Sequence, residues 1–169
     1  MILSIAAPTC RRLAALFLAL VLAGCAQPVR QPSDGSTPTQ RWIGRLALKV
    51  ESDPPQSFFS GFELSGRADH GELFLYSPLG NTVSSLSWTP SHALLKEGSR
   101  QRYFASLDDL SIEATGAAIP LGALFQWLNG QEAQADGWQA DLTQLEQGRL
   151  TAHRLHPAPA TELRLILDR

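Results

Sequence analysis

The sequence predicts an α+β domain, in which two short helices cover the apolar face of an antiparallel sheet. Three observations carry that expectation. Apolar residues recur with period two in five separate stretches. Turn residues punctuate those stretches at the spacing of a hairpin meander. Between the fourth and fifth stretches the apolar period lengthens to that of a helix. Strands, then helices, then strands again belong to an α+β arrangement.

The elements follow in order. Leu46, Leu48 and Val50 alternate with Arg45, Ala47, Lys49 and Glu51. Phe58, Ser60, Phe62 and Leu64 alternate with Phe59, Gly61 and Glu63. Leu73 and Leu75 alternate with Glu72, Phe74 and Tyr76, and Ser84, Leu86 and Trp88 with Val83, Ser85 and Ser87. At the far end Leu163, Leu165 and Leu167 alternate with Glu162, Arg164, Ile166 and Asp168. Strands with one apolar and one mostly polar face build antiparallel sheets covered on one side. Asp53-Pro54-Pro55, Ser65-Gly66, Pro78-Leu79-Gly80, Pro90, Glu97-Gly98 and Gln147-Gly148 supply the turns.

In the middle, Ser106 offers an N-cap with Asp108 and Asp109 in the first turn behind it. Leu107, Leu110 and Ile112 are expected to face inward before Gly116 stops that helix. A second helix has Pro120 in its first turn and Gly130 at C′. Its Leu121, Leu124, Phe125 and Leu128 fall at i, i+3, i+4 and i+7, the stripe of an amphipathic helix.

The N-terminal forty residues have another character. Arg11 and Arg12 precede an apolar run from Leu13 to Leu22, which small residues close. That is the layout of a secretory signal, and the run is shorter than the roughly 20 residues of a membrane span. The run ends in Leu22-Ala23-Gly24-Cys25, which resembles the bacterial lipobox. A short anchor ending by chance in Gly-Cys is the bland alternative, against which the Pro and polar residues that follow at once argue. The resemblance implies a signal peptide over 1–24 and acylation of Cys25 as the new N-terminus. Residues 25–40 then form an acylated, flexible tether, rich in Pro, Ser, Thr and Gly and with Val29 as its only larger apolar residue. Its coil spans roughly 20 Å. The domain occupies 41–169.

On that reading Cys25 is the only cysteine of the mature chain, so a disulfide has no second partner. The mature part keeps 12 basic residues against 16 acidic ones, a net charge of −4 without a basic block. Nucleic acid is thereby excluded as an expected partner. Nucleotide, hydrolase and zinc-protease motifs are missing from the sequence, so neither an enzyme nor a cofactor is expected. His153 and His156 stand at an odd offset, which in a strand points them to opposite faces and argues against a shared metal; surface histidine is the default. Asp108-Asp109 diverge on a helix, and Asp136, Asp141 and Glu146 resemble a solvated face.

Three pieces carry a family resemblance: Trp42-Ile43-Gly44-Arg45-Leu46, then Leu73-Phe-Leu-Tyr-Ser-Pro-Leu-Gly-Asn-Thr82, then Gly116-Ala-Ala-Ile-Pro-Leu-Gly-Ala-Leu-Phe-Gln-Trp-Leu-Asn-Gly130. In that order behind a lipobox they resemble the LolB family of outer-membrane lipoprotein receptors. One departure is Phe62-Glu63-Leu64, where the family often has an aromatic-x-Trp. The resemblance implies an open antiparallel half-barrel, lidded by helices over an apolar cavity, in a monomer on the periplasmic face of the outer membrane of a Gram-negative bacterium. It also implies that the protein takes lipoproteins from the periplasmic carrier LolA and releases them into the inner leaflet of the outer membrane. Acyl chains and phospholipid are then its other contacts. An envelope sensor of similar fold, binding acyl chains without passing them on, is one alternative; a hydrolase of envelope lipids is the other, a poor fit without a nucleophile constellation. Ala26 stands where an aspartate commonly retains lipoproteins at the inner membrane.

Read from residues alone, a single sheet under two short helices either closes on an ordinary core or leaves a hollow that takes acyl chains. The expected lining comprises Phe58, Phe62, Leu73, Leu75, Leu86 and Trp88 from the strands. Leu121, Leu124, Phe125 and Leu128 are expected to join them from the second helix. Trp42, Trp127 and Trp138 fit either lining or core. Ser77-Pro78-Leu79-Gly80 fits a type I turn, placing Leu79 at a hairpin tip. That leucine either folds back towards Leu121 or, as the resemblance implies, probes the membrane.

Overall fold

The computed structural model describes residues 40–115 and 118–168. The leader, Cys25, the tether up to Thr39 and the Gly116 helix stop lie outside the described residues.

Strands β1 (Gln40–Val50) and β2 (Gln56–Gly66) form a hairpin, with Gln40 opposite Gly66 and Val50 opposite Gln56. The meander continues through β3 (Gly71–Tyr76), β4 (Thr82–Thr89), β5 (His92–Glu97) and β6 (Arg100–Phe104). Helices α1 (Leu107–Thr115) and α2 (Leu121–Leu128) follow, and the chain returns as β7 (Trp138–Asp141), β8 (Arg149–Arg154) and β9 (Thr161–Leu167). β9 pairs with β1, so the nine strands run in the order β6-β5-β4-β3-β2-β1-β9-β8-β7, all antiparallel. The result is the expected α+β fold, an open half-barrel with its helices on the concave side.

The alternation places Leu48, Val50, Phe62, Leu64, Leu86, Leu163 and Leu165 inward, all buried. Because side chains alternate across a strand, their neighbours face solvent on the convex side. β1 begins well before Arg45, and Trp42 and Gly44 extend its inward set. Sequence alternation does not single out β5 to β8. β6 carries Arg100, Gln101 and Arg102 as a polar edge strand, and β8 puts Arg154 at an inward position after Leu150 and Ala152.

Ser106 caps α1, its Oγ accepting the Asp109 amide at 3.0 Å. Leu110 is fully buried, whereas Ile112 is half exposed, against the expectation that it faces inward. Two residues beyond Leu110 is about 200° round the helix, so the two cannot share a face. In α2 the whole stripe Leu121, Leu124, Phe125 and Leu128 is buried, with Ala123 and Trp127 beside it. Pro120 stands just ahead of the helix as its N-cap, and its carbonyl accepts the Leu124 amide at 2.8 Å.

Antiparallel register sorts the connections into two ends of the half-barrel. The first residues of β1 share one end with the β2–β3 and β4–β5 turns. The last residues of β1 share the other with the β3–β4 and β5–β6 turns and the β8–β9 loop. At the Gln40 end, Phe125 meets Trp42 edge-on at 5.5 Å between ring centroids and lies 6.2 Å from Trp88. The Trp88 Nε1 donates to the Arg67 carbonyl at 3.1 Å. A Cβ on Gly71 would come within 2.7 Å of the Trp88 ring, so glycine there lets the indole lie across β3. Gln40 and Asn129 exchange side-chain hydrogen bonds of 2.6 and 3.0 Å, which tie the end of α2 to the start of β1.

Candidate functional site: an apolar cavity open at one end

Towards the Val50 end the concave face is not filled. A cavity of about 290 Å³ lies there between sheet and helices. Leu46, Leu48 and Val50 of β1 and Leu163 and Leu165 of β9 form one wall. Phe62 and Leu64 of β2, Leu73 and Leu75 of β3, and Leu86 of β4 form the other. Leu121 and Leu124 of α2 cover it with Ile119. Ser84 of β4, Leu95 of β5 and Ser111 of α1 also face it, and Gln56, Ser57, Phe58 and Glu97 complete the lining. These last four are exposed, so they mark the mouth.

Few polar groups reach this space. Ser111 on α1 donates to the Asp108 carbonyl at 2.9 Å and accepts the Ile119 amide at 3.2 Å. Its hydroxyl thus holds the segment before α2 in place over the cavity. At the mouth, Glu97 pairs with Arg102 at 3.3 Å, and Arg102 pairs with Glu113 of α1 at 2.7 Å. These bonds link α1 to the β5–β6 hairpin, although exposed pairs of this kind contribute only about 0–1 kcal/mol each.

Of the ten residues expected on the wall, Phe58, Phe62, Leu73, Leu75, Leu86, Leu121 and Leu124 lie on it. Trp88, Phe125 and Leu128 do not: they are buried in the core at the Gln40 end. Bulk explains the difference, because the rings of Trp42, Phe125 and Trp88 fill the space they face. Trp127 is also core, its Nε1 donating to the Ala133 carbonyl at 3.1 Å, and buried Trp138 donates to the Ala118 carbonyl at 3.2 Å. Sequence reasoning missed Leu64, Leu95 and Ile119 as lining, and with them the β1 and β9 residues Leu46, Leu48, Val50, Leu163 and Leu165. The alternation of these last five was visible, but the pairing of β1 with β9 that brings them together was not.

Leu79 stands clear of the domain. The Gly80 amide donates to the Ser77 carbonyl at 2.9 Å, closing the turn, and Gly80 takes φ +82° after it. Leu79 is 88 % exposed, so it does not fold back onto Leu121. His153 is half exposed, 3.8 Å from Glu162, while His156 lies in the β8–β9 loop. Among the described residues no group of three or more His, Cys, Asp or Glu is placed to hold a metal ion. No described helix is long and apolar enough to cross a membrane.

Comparison with known proteins adds to this geometry. The family model for outer membrane lipoprotein LolB matches residues 40–157. The outer-membrane lipoprotein LolB of Bordetella pertussis is 34% identical over 179 residues, covering 90% of this chain and 89% of the relative. That of Cupriavidus necator is 33% identical over 147 residues, covering 83% of this chain and 74% of the relative. That of Bordetella petrii is 27% identical over 176 residues, covering 89% and 88%. A lidded half-barrel with a one-ended apolar cavity, and matches of this extent, place the chain in the LolB family of outer-membrane lipoproteins.

Proposed function

We propose that this protein is anchored in the outer membrane by acylation of Cys25, accepts lipoproteins from the carrier LolA, and releases them into the inner leaflet. The observation that supports this reading best is the cavity of about 290 Å³, walled by leucines and open at one end. An apolar hollow of that kind offers acyl chains the burial they lose on leaving the carrier. A liquid water molecule takes about 30 Å³, and a methylene is of similar size, so the hollow accommodates about ten methylenes. At about 0.8 kcal/mol each, they gain roughly 8 kcal/mol before any ordering cost. The rest of a long or multiple-chain anchor would protrude at the mouth. A bilayer buries every methylene, so transfer runs downhill into lipid without nucleotide hydrolysis.

Leu79 serves this reading as the membrane probe. Burying one leucine gives about 1.5–3 kcal/mol, a transient touch suited to a protein already tethered through Cys25. The test mixes LolA carrying a labelled lipoprotein with the acylated full chain on phospholipid vesicles. Cargo should move to the vesicles. With Leu79→Glu it should leave LolA but fail to reach lipid. Cargo that stays on LolA would sink the receptor reading. Cargo held by the unaltered chain and never released would make the protein an acyl-binding sensor.

A further inference from the structure

Large apolar residues exposed on the described surface are unevenly distributed. Of the nine exposed on the described surface, Phe58, Phe59, Leu79, Val83 and Leu155 lie towards the Val50 end, where the cavity opens, while Ile43, Tyr103, Ile112 and Ile166 are scattered elsewhere. Phe59 is 74 % exposed on the convex face of β2, beside Ala47 of β1. Continuing the β2–β3 register past Gly61 and Tyr76 brings Phe59 level with the start of the Leu79 turn. Val83 lies where the β3–β4 register shifts, on the strand leaving that turn.

Charge follows the same division. No Asp, Glu, Lys or Arg occurs from Leu73 to Leu95, nor from Gln56 to Phe62. These two stretches are the adjoining parts of β2, β3, β4 and β5. Lys49 and Glu51, paired at 3.3 Å, lie on the β1 side of this lip, and Glu97 and Arg100 on its other side. Stretches that combine exposed rings with no charge of their own, bordered by Arg45 and Lys49 on β1, suit an environment in which unpaired charge is expensive.

We infer that Phe59, Leu79 and Val83 form one bilayer-contact lip, so that the protein meets lipid along the β2–β4 edge of the cavity mouth and not at the turn alone. The inference rests on the proposed anchoring and on the reading of Leu79. The chain outside the described structure allows the contact. β1 starts at the end opposite the lip, and its 11 residues span about 35 Å. The 15 residues from Ala26 to Gln40 reach at most about 50 Å when extended. An anchor in a membrane therefore leaves enough chain for the lip to touch that same membrane.

The test uses the acylated full chain on phosphatidylethanolamine–phosphatidylglycerol vesicles with brominated acyl chains. Phe59→Trp adds an indole whose fluorescence the brominated lipid should quench, whereas an Ile166→Trp indole should not be quenched. Phe59→Glu should lower cargo delivery about tenfold while uptake from the carrier is unchanged. Phe59→Leu should keep most of the delivery. An indole at position 59 quenched by aqueous iodide but not by brominated lipid would overturn the lip, even where Leu79→Glu still blocks delivery. Phe59→Glu that impairs uptake, with the cargo already taken up still passing to lipid normally, would also overturn it, assigning the surface to a protein partner.

Discussion

At the Gln40 end of the concave face, Trp42, Phe125 and Trp88 pack ring to ring. At the Val50 end the same sheet presents Leu46, Leu75, Ser84 and Leu86 to a space that nothing fills. The strands are continuous between the two ends, so backbone geometry does not separate floor from hollow. Side-chain volume does. The rings of Trp42, Phe125 and Trp88 reach across the gap between sheet and helix, whereas the side chains around the hollow, Phe62 included, fall short. The domain is thereby stabilised at one end and left free to receive something at the other.

The floor should be the costlier end to disturb. Phe125→Ala is expected to remove about 3–5 kcal/mol of stability, read from the urea midpoint. A loss below about 1 kcal/mol would mean that the ring trio does not hold the fold. In the hollow, Leu75→Glu should weaken binding of a fluorescent fatty acid tenfold or more, with far-ultraviolet dichroism unchanged. Normal binding by that folded variant would show that position 75 does not meet the ligand. Ser84→Leu separates the two ends most sharply, since partial filling should raise stability by about 0.5–1 kcal/mol while reducing acyl binding. A rise in both would contradict the hollow as the binding space. Leu124→Met keeps volume and should cost under about 1.5 kcal/mol, with binding close to normal.

The smallest effect lies on the convex face. The Tyr76 hydroxyl donates to Glu63 at 3.3 Å, and burial together with the Glu63 charge raises the phenol above its ordinary value of 10. A raised folded pKa favours the neutral form. Its stabilisation is present below the unfolded pKa and is lost as pH rises through the folded one. Ultraviolet titration should lose, in Tyr76→Phe, a phenol that ionises above its ordinary value. Unaltered titration would count against that burial.

Period-two alternation made β1 to β4 and β9 legible, because each buries one face only. The stripe of α2 was legible for the same reason. Arg154 concealed β8, and a polar edge concealed β6. Within the site, alternation shows which residues face inward but not whether the space they face is full. Trp88, Phe125 and Leu128 point the expected way, and the rings around them leave no room. Phe58, Leu75 and Leu124 point the same way and border the hollow. The missing information was the long-range pairing of β1 with β9, which no local pattern encodes.

That pairing also dictates an order of assembly. β1 meets β2 through a five-residue connection, but its other edge waits for β9, more than a hundred residues further along the chain. Non-local pairing of this kind slows folding, because a long loop must close before any contact rewards it. A chain emerging N-terminus first from a channel therefore carries a half-made sheet until its last strand is out. Leu163 and Leu165 complete the cavity wall at that same step, so the hollow cannot exist in a partly emerged chain. Loss of Thr161–Leu167 would remove an interior strand, the link between β1 and β8, rather than a tail.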